Sequence, residues 1–311
     1  MIEWQKKGLL IEPQKHLWWM QTHAMLPTVI PLSGNEFRVY FSGRDESQRS
    51  QIGYADIEVS NGQISVLNYS KDPVLSPGER GCFDDNGVTP SWVVQTEDTL
   101  RLYYIGWNSG TTTTRMSLIA GLANSADGKS FKRYSRAPLL DRTNAEPFGI
   151  LTAPCVLLDL DNKLWEMWYV SGEGWRNKDL PIYNIKYAHS SDGINWIREG
   201  TVCIDFNSAR ETALARPCVL KSEDGYRMWF SYKDPAIGYR IGFAASKNGK
   251  DWKRQDALGG LDVGSKGDWD SEMIQYSYIF FHEGIYYLLY NGNGYGLTGI
   301  GYGVSHEIPS I

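Results

Sequence analysis

Apolar and polar residues alternate in short runs along this chain, and the runs recur at a nearly constant interval. Pro27, Pro90, Pro154 and Pro217 each lead an apolar run, and the step from each proline to the next is almost the same. A fifth copy, YSYIFF, has Ser277 in the position of the proline, after a slightly shorter step. This periodicity predicts five copies of one structural unit.

Each copy divides into four runs that are typical of short β-strands separated by turns. The first run is led by the proline, and the second is aromatic, as in RLYYIG (101–106). The third follows a Gly-aromatic-Ala pattern, as in IGFA ending at Ala244. The fourth is short and aliphatic, and its copies centre on Leu75, Leu140, Ile204 and Leu261.

The fifth copy lacks a fourth run, and the N-terminus supplies a matching one. GLLIEP (8–13) has the fourth-strand pattern, and the step from Ile11 to Leu75 matches the step from Leu75 to Leu140. The sequence therefore predicts an all-β chain. We expect residues 1–311 to form a single five-bladed β-propeller domain with four antiparallel strands per blade, closed by the N-terminal strand joining the last blade.

The composition narrows the class of protein. The net charge of −5 and the pI near 5.6 argue against a nucleic-acid partner, which requires a basic face. No apolar stretch approaches the roughly 20 residues of a membrane span, and no signal peptide begins the chain. We therefore expect a cytoplasmic location and no membrane partner. The four cysteines lack metal-ligand spacing, so we expect no metal and no cofactor.

The most conspicuous motif is a repeated hairpin sequence that we interpret as structural. Its copies are SADGKSF (125–131), SSDGINW (190–196) and SKNGKDW (246–252). Asp-Gly and Asn-Gly suit tight hairpins because both positions tolerate positive φ. One copy per blade at the far rim cannot form a shared site.

The opposite face collects acidic residues just before the first strand of each blade. Asp85, Glu211 and Glu272 lie five or six residues before the proline, or before Ser277, that leads the first strand of three blades. We expect these three acids to point to a common centre. Glycoside hydrolysis usually uses a pair of carboxylates, one as acid and one as base or nucleophile. We predict Asp85 with Glu211 or Glu272 as that pair, with Glu173 as a further catalytic candidate.

Other polar and aromatic residues on this face are suited to bind a sugar, because amides and carboxylates bond to hydroxyls and Trp covers the apolar side of the ring. The predicted substrate-binding residues are His23, Arg44, Asp45, Asp84, Trp107, Trp175, Arg216, Asp270, Gln275 and Asn291. Arg44 and Arg216 would either bind an anionic substrate or neutralise the neighbouring acids.

Several motifs resemble those of the five-bladed propeller glycosidase superfamily, which includes glycoside hydrolase families 32 and 43 and the family 130 phosphorylases. These are the G-x-FDD-x-G-x-x-P segment (81–90), the S-x-DG-x-x-W hairpins and YNGNGYG-x-TGIGYG (290–303). In those hydrolases a blade 1 Asp is base or nucleophile, a blade 2 Asp orients the acid, and a blade 3 Glu is the acid. The resemblance assigns the blade 2 role to Asp85. Blade 1 departs from the pattern, because it has His23 and leaves Asp45 as the substitute.

These observations favour a carbohydrate-active enzyme, similar to a glycoside hydrolase, that cleaves a glycosidic bond of a small or activated sugar at the central channel. Two alternatives stay open at this point: a non-catalytic sugar-binding propeller that has lost the family triad, and a glycoside phosphorylase. The expected partner is a small carbohydrate, and the oligomeric state is left open.

Overall fold

The computed structural model describes residues 4–311 and contains twenty strands and two short helical turns. The all-β class predicted from the sequence is confirmed. The strands of repeats 1 and 2 are β2 (Thr22–Ser33), β3 (Glu36–Arg44), β4 (Ser50–Ser60), β5 (Gln63–Tyr69), β6 (Gly87–Gln95), β7 (Leu100–Ser109), β8 (Met116–Ser125) and β9 (Lys132–Arg133). Those of repeat 3 are β10 (Ile150–Asp159), β11 (Leu164–Asn177), β12 (Leu180–Ser190) and β13 (Val202–Ile204).

Repeat 4 contains β14 (Ala213–Ser222), β15 (Gly225–Asp234), β16 (Gly238–Ser246) and β17 (Trp252–Arg254). Repeat 5 contains β18 (Gln275–His282), β19 (Ile285–Asn291) and β20 (Ile300–Ser305). A 3-10 turn spans Asp256–Leu258, and α1 spans Asn293–Gly296. Within each repeat the strands pair antiparallel in chain order.

The N-terminal strand β1 (Gln5–Ile11) pairs antiparallel with β20, from Gln5 opposite Val304 to Ile11 opposite Ile300. It therefore supplies repeat 5 with a fourth strand, although it begins three residues before the predicted run. Backbone pairing gives a sheet of four strands, β1-β20-β19-β18, and a larger sheet that contains β2 to β17. Within the described residues no strand pairing joins the two sheets, so the count of five blades and the closed ring stay predictions.

Three of the predicted fourth strands lie elsewhere. In repeats 1, 2 and 4 the fourth strand comes earlier in the sequence than predicted, as β5, β9 and β17. Only β13 contains its predicted residue, Ile204. Leu75 forms just an isolated bridge to Ile52, and Leu140 lies in a loop. Both leucines are nevertheless buried in the hydrophobic core. Their aliphatic pattern reflects this burial and not strand pairing.

A β-bulge interrupts each first strand at the proline or its equivalent. The register shifts in repeats 2 to 5 lie at Pro90/Trp92, Thr152/Cys155, Ala215/Cys218 and Gln275/Tyr278. In repeat 1 the shift lies between Met25 and Thr28. Proline lacks an N–H to donate, so bulges and edges are where a sheet tolerates it. A bulge also re-aims the side chains beside it.

The repeated hairpins make contacts between neighbouring repeats. The Gly193 carbonyl accepts a hydrogen bond from the Tyr103 hydroxyl at 2.9 Å, and the Gly128 carbonyl accepts one from Tyr40 at 2.7 Å. Trp168 Nε1 donates to the Gly249 carbonyl at 2.7 Å. In each case the donor lies on the second strand of the preceding repeat, which is the structural role expected for this motif.

Candidate functional site

The first strands surround a cavity of about 310 Å³. One residue from each repeat, the one immediately before the proline or Ser277, lines it. These five residues are Leu26, Thr89, Ala153, Arg216 and Tyr276. Four of them have positive φ, at Leu26 (56°), Ala153 (48°), Arg216 (51°) and Tyr276 (59°). Such backbone in a non-glycine residue costs on the order of 1–3 kcal/mol and concentrates at functional sites. We call these five positions the bulge ring.

The connections between second and third strands form the wall of the cavity. Arg44 and Lys233 lie on second strands, and Trp107 lies near the end of another. The β11–β12 hairpin is unusually long, and Asp179 at its turn lines the cavity with Leu180 and Pro181. Arg115 lies in the β7–β8 connection, where its backbone N–H donates to the Lys178 carbonyl at 2.9 Å.

Four tyrosines give the cavity an aromatic side. They are Tyr183, Tyr239, Tyr276 and Tyr295. The hydroxyls of Tyr183 and Tyr239 are 2.8 Å apart. Burial raises the pKa of Tyr183 to about 12 and raises the pKa of Tyr239 and of Tyr276 well above the ordinary value. These hydroxyls are therefore neutral near pH 7 and can donate hydrogen bonds.

The charges that line the cavity are mostly positive. Arg44, Arg115, Arg216 and Lys233 contribute cations, and Asp179 is the one carboxylate among the described lining residues. No carboxylate in residues 4–311 lies within 4.0 Å of these four cationic groups, whereas the arginines outside the cavity are commonly paired. Neither Arg44 nor Arg216 forms a direct ion pair with an acid of this range, and their predicted role in binding substrate stays a prediction.

Arg216 lines the cavity and is fully buried. Its Nη2 donates to the Pro27 carbonyl at 2.7 Å and to Thr28 Oγ1 at 2.9 Å. Its Nε and Nη1 have no hydrogen-bond partner in the described part of the chain. Burial lowers the pKa of this guanidinium. Burying a charge without a counter-ion is costly, so an anion close to this guanidinium would stabilise it.

None of the four predicted catalytic carboxylates lines the cavity. Asp85 accepts hydrogen bonds from the Gly81 N–H at 2.8 Å and from Asn108 Nδ2 at 2.7 Å. Glu173 pairs with Lys186 at 2.8 Å. Glu272 is exposed, and its backbone N–H donates to Asn293 Oδ1. The catalytic role of these residues stays a prediction.

Glu211 belongs to a set of ion pairs that recurs from repeat to repeat. Its two carboxylate oxygens accept from Arg254 Nη1 and Nη2, both at 2.8 Å. The corresponding pairs are Asp84–Arg133, Glu146–Arg198 and Asp270–Lys6. Each joins the segment before a first strand to the fourth strand of the same repeat or to the segment that leads into it. We call these four pairs the strand clasps.

A tyrosine of the second strand completes three of the clasps. The Tyr104, Tyr169 and Tyr290 hydroxyls donate to Asp84, Glu146 and Asp270 at 2.8 to 2.9 Å. In repeat 1, which has no clasp among these four, the buried Trp19 packs against Phe41 instead. Asp84 and Asp270, predicted to bind substrate, thus have clasp partners, as Glu211 does.

The other predicted binding residues hold loops near the cavity. Asp45 accepts from the Arg49 N–H and from Gln51 Nε2 within its own turn. Asn291 Oδ1 accepts from the Leu26 N–H at 3.0 Å, and Gln275 Nε2 donates to the Gly292 carbonyl at 3.0 Å. Trp175 packs against the buried cluster beside the cavity. Of the predicted binding residues, Arg44, Trp107 and Arg216 line the cavity.

His23 is buried beside Arg44 and does not line the cavity. Its φ is 62°, and Nδ1 lies 2.9 Å from Thr22 Oγ1. Burial, with a further contribution from the Arg44 charge, lowers the pKa of His23 to about 4. The imidazole is therefore neutral near pH 7.

Sequence reasoning missed Arg115, Asp179 and the tyrosines of the cavity. Two signals were present. The connection between RLYYIG and the third run of repeat 2 is unusually long and contains Arg115. Tyr276 occupies the bulge-ring position, immediately before Ser277. Asp179 was missed because β11 extends beyond the predicted run to Asn177.

Comparison with known proteins places the chain in a family and identifies its fold. No protein-family model matches the chain. Two Mycobacterium tuberculosis proteins, "Uncharacterized protein MT1551" of strain CDC 1551 / Oshkosh and "Uncharacterized protein Rv1502" of strain ATCC 25618 / H37Rv, are each 39% identical over 304 residues. The match covers 97% of this chain and 99% of each relative.

Solved structures of glycoside hydrolases have the same fold. One described as "Glycoside hydrolase" matches with a TM-score of 0.73 and 19% identity, covering all of this chain and 94% of that one. A thermostable family-43 glycoside hydrolase matches with a TM-score of 0.67, 14% identity and coverage of 96% and 91%. The Bombyx mori family-32 β-fructofuranosidase BmSUC1 matches with a TM-score of 0.60, 15% identity and coverage of 91% and 61%.

The predicted resemblance to the propeller glycosidase superfamily is thus confirmed at the level of the fold. At the level of sequence, the chain belongs to the family of the two mycobacterial proteins. No helix among residues 4–311 is long and apolar enough to cross a membrane.

The clasp at Glu211 generates a prediction about stability. Replacing Arg254 with Met leaves a buried carboxylate without its cation, so we expect the free energy of unfolding to fall by about 3–5 kcal/mol. Arg136→Met is the matched control, because Arg136 and its partner Glu79 are exposed, and we expect a loss of about 1 kcal/mol or less. Urea unfolding measures both. Equal losses would contradict the structural role of the clasp.

His23 generates a prediction about pH. The unfolded side chain titrates near 6.5 and the folded one near 4, so the unfolded state binds more protons between these values. The free energy of unfolding should therefore fall as the pH drops through this window, by roughly 3 kcal/mol in total. His23→Asn, which tolerates the positive φ, should remove this contribution, and the exposed His16→Asn should retain it. An unchanged pH profile in His23→Asn would refute the assignment.

Proposed function

We propose that residues 1–311 form a single five-bladed β-propeller domain, with repeats 1 to 5 as blades and β1 closing the ring. The order of contacts between first strands supports this arrangement. β2 contacts β6, β6 contacts β10, β10 contacts β14, β14 contacts β18, and β18 contacts β2. This cyclic order supports an arrangement of the five first strands around one axis, with the bulge ring at its centre.

The proposed function is that of a carbohydrate-active enzyme that acts on a glycosidic bond of a small or activated sugar held in the cavity. The observation that carries it is the convergence of all five repeats on one cavity in a fold of the glycosidase type. Trp107 offers an aromatic face for a sugar ring, and the tyrosine hydroxyls offer hydrogen bonds to its hydroxyl groups. A cytoplasmic location would favour a small or activated sugar over a polymer.

The geometry of the cavity bears on which carboxylates are candidates for catalysis. Asp179 lines the cavity, so it is our candidate to donate a proton to the leaving oxygen as the bond from the anomeric carbon breaks. Hydrolysis also requires a base or nucleophile, and Asp85, Glu173 and Glu272 remain the candidates. Glu211 is the weakest of the predicted four, because both of its oxygens are engaged by Arg254.

Two alternatives gain support from the same observation. Hydrolysis usually uses two carboxylates, and Asp179 stands alone among the described lining residues. A sugar-binding propeller without turnover requires none. Phosphorolysis requires one acid, because phosphate itself attacks the anomeric carbon.

Turnover of a panel of aryl-glycosides and nucleotide sugars, with and without inorganic phosphate, distinguishes these functions. For a substrate that is cleaved, Asp179→Asn should lower kcat/KM by about 10²- to 10⁴-fold, the usual contribution of a general acid. Asp161→Asn, an exposed carboxylate outside the cavity, is the matched control and should retain activity.

Parallel Asp85→Asn and Glu272→Gln variants decide which second carboxylate takes part. Cleavage that requires phosphate would establish phosphorolysis. Binding of a sugar without turnover, unchanged in all three acid variants, would overturn the enzymatic proposal in favour of a binding protein.

A further inference from the structure

Arg44 and Arg115 form an unusual pair at the cavity wall. Arg44 is half-buried at the end of β3, and Arg115 comes from the neighbouring repeat. Burial lowers the pKa of Arg44, and the positive charge of Arg115 lowers it further. Both side chains line the same cavity, so a ligand in it faces two like charges. No hydrogen bond or ion pair joins either side chain to a residue in the described range 4–311.

Several buried or half-buried arginines elsewhere in the chain are paired, whereas exposed ones such as Arg80 and Arg142 lack a carboxylate partner among residues 4–311, as the exposed Arg115 does. Arg38, Arg133, Arg198 and Arg254 each have a carboxylate within 2.8 Å. Lys233 also lacks a carboxylate, but it lies over the rings of Tyr239 and Tyr295 and donates to the Tyr295 hydroxyl at 3.1 Å. Arg44 and Arg115 are thus two cations that line the cavity, together with the buried Arg216, and none of the three has a carboxylate within 4.0 Å in residues 4–311.

We propose that the ligand of the cavity carries an oxyanion group, a phosphate or a carboxylate, and that Arg44 and Arg115 bind it while Tyr276 donates a hydrogen bond. An oxyanion between two guanidinium groups replaces their repulsion with two charge-assisted contacts. Tyr276 lines the same cavity as the two arginines, and burial raises its pKa, so its hydroxyl is neutral near pH 7. The inference rests on the proposed function only in taking this cavity as the ligand site.

The oxyanion has two sources, the sugar itself or a free phosphate ion, and the probes separate them. Glucose 1-phosphate and glucuronate carry the group on the sugar, inorganic phosphate supplies it alone, and glucose lacks it. Isothermal titration measures affinity for each probe, and thermal unfolding compares phosphate with chloride at equal ionic strength. Arg44→Gln and Arg115→Gln are the test variants, and the exposed Arg136→Gln is the matched control.

We expect at least one anionic probe to bind and to raise the unfolding temperature, and glucose to bind more weakly. Each test variant should weaken anionic binding by about tenfold or more, with Arg136→Gln unchanged. Affinity should also fall as salt concentration rises. Without ligand, Arg115→Gln should unfold at the same or a higher temperature, because it removes one of two repelling charges.

The outcomes separate this inference from the proposed function. Phosphate binding alone would assign the oxyanion to a free ion, and binding restricted to sugar phosphate or glucuronate would assign it to the sugar. If no anionic probe binds at 10 mM, its binding free energy is on the order of 3 kcal/mol or weaker, and the inference is overturned. Binding of an anionic probe that is unaffected by both variants would also overturn it, while leaving the proposed function standing. Oxyanion binding that depends on both arginines, with no sugar bound or cleaved, would sustain the inference and defeat the proposed function.

Discussion

The bulge at the start of each first strand is the constraint on which the rest of this structure depends. A proline cannot donate to the strand ladder, and the first strands of repeats 2 to 4 accommodate it by a shift in register, which repeat 5 retains with Ser277 in that position. That shift directs the preceding side chain into the centre. Five repeats with the same bulge give five side chains around one cavity, including Arg216 and Tyr276. The repeat thereby fixes where a ligand can lie, while the side chain at each position is free to differ.

Charge is divided between two places with opposite roles. The carboxylates that recur, such as Asp84 and Glu211, are paired with Arg133 and Arg254 in the strand clasps. The cations that line the cavity have no carboxylate within 4.0 Å among residues 4–311. Removing one member of a buried ion pair leaves the other charge without a partner in the apolar interior, so the loss lowers stability strongly. An unpaired cation that faces a cavity is instead available to a ligand.

The sequence predicts the strands better than it predicts the site, and the reason is physical. The repeat period and the N-terminal strand follow from local pattern, and both were found. The fourth strands were misplaced at Leu75 and Leu140 because buried loops are as aliphatic as strands. Among the site residues, acids before a strand look alike whether they face a cavity or an arginine. The partner of Glu211 is distant in sequence, and only the folded chain brings Arg254 beside it.

The most direct test of the account is a crystal structure of the protein with the sugar ligand that binds most tightly. The account predicts electron density in the cavity, with a ring against Trp107 and an oxyanion within hydrogen-bonding distance of Arg44 and Arg115. Ligand density at the strand clasps or at the repeated hairpins, with only water in the cavity, would contradict it.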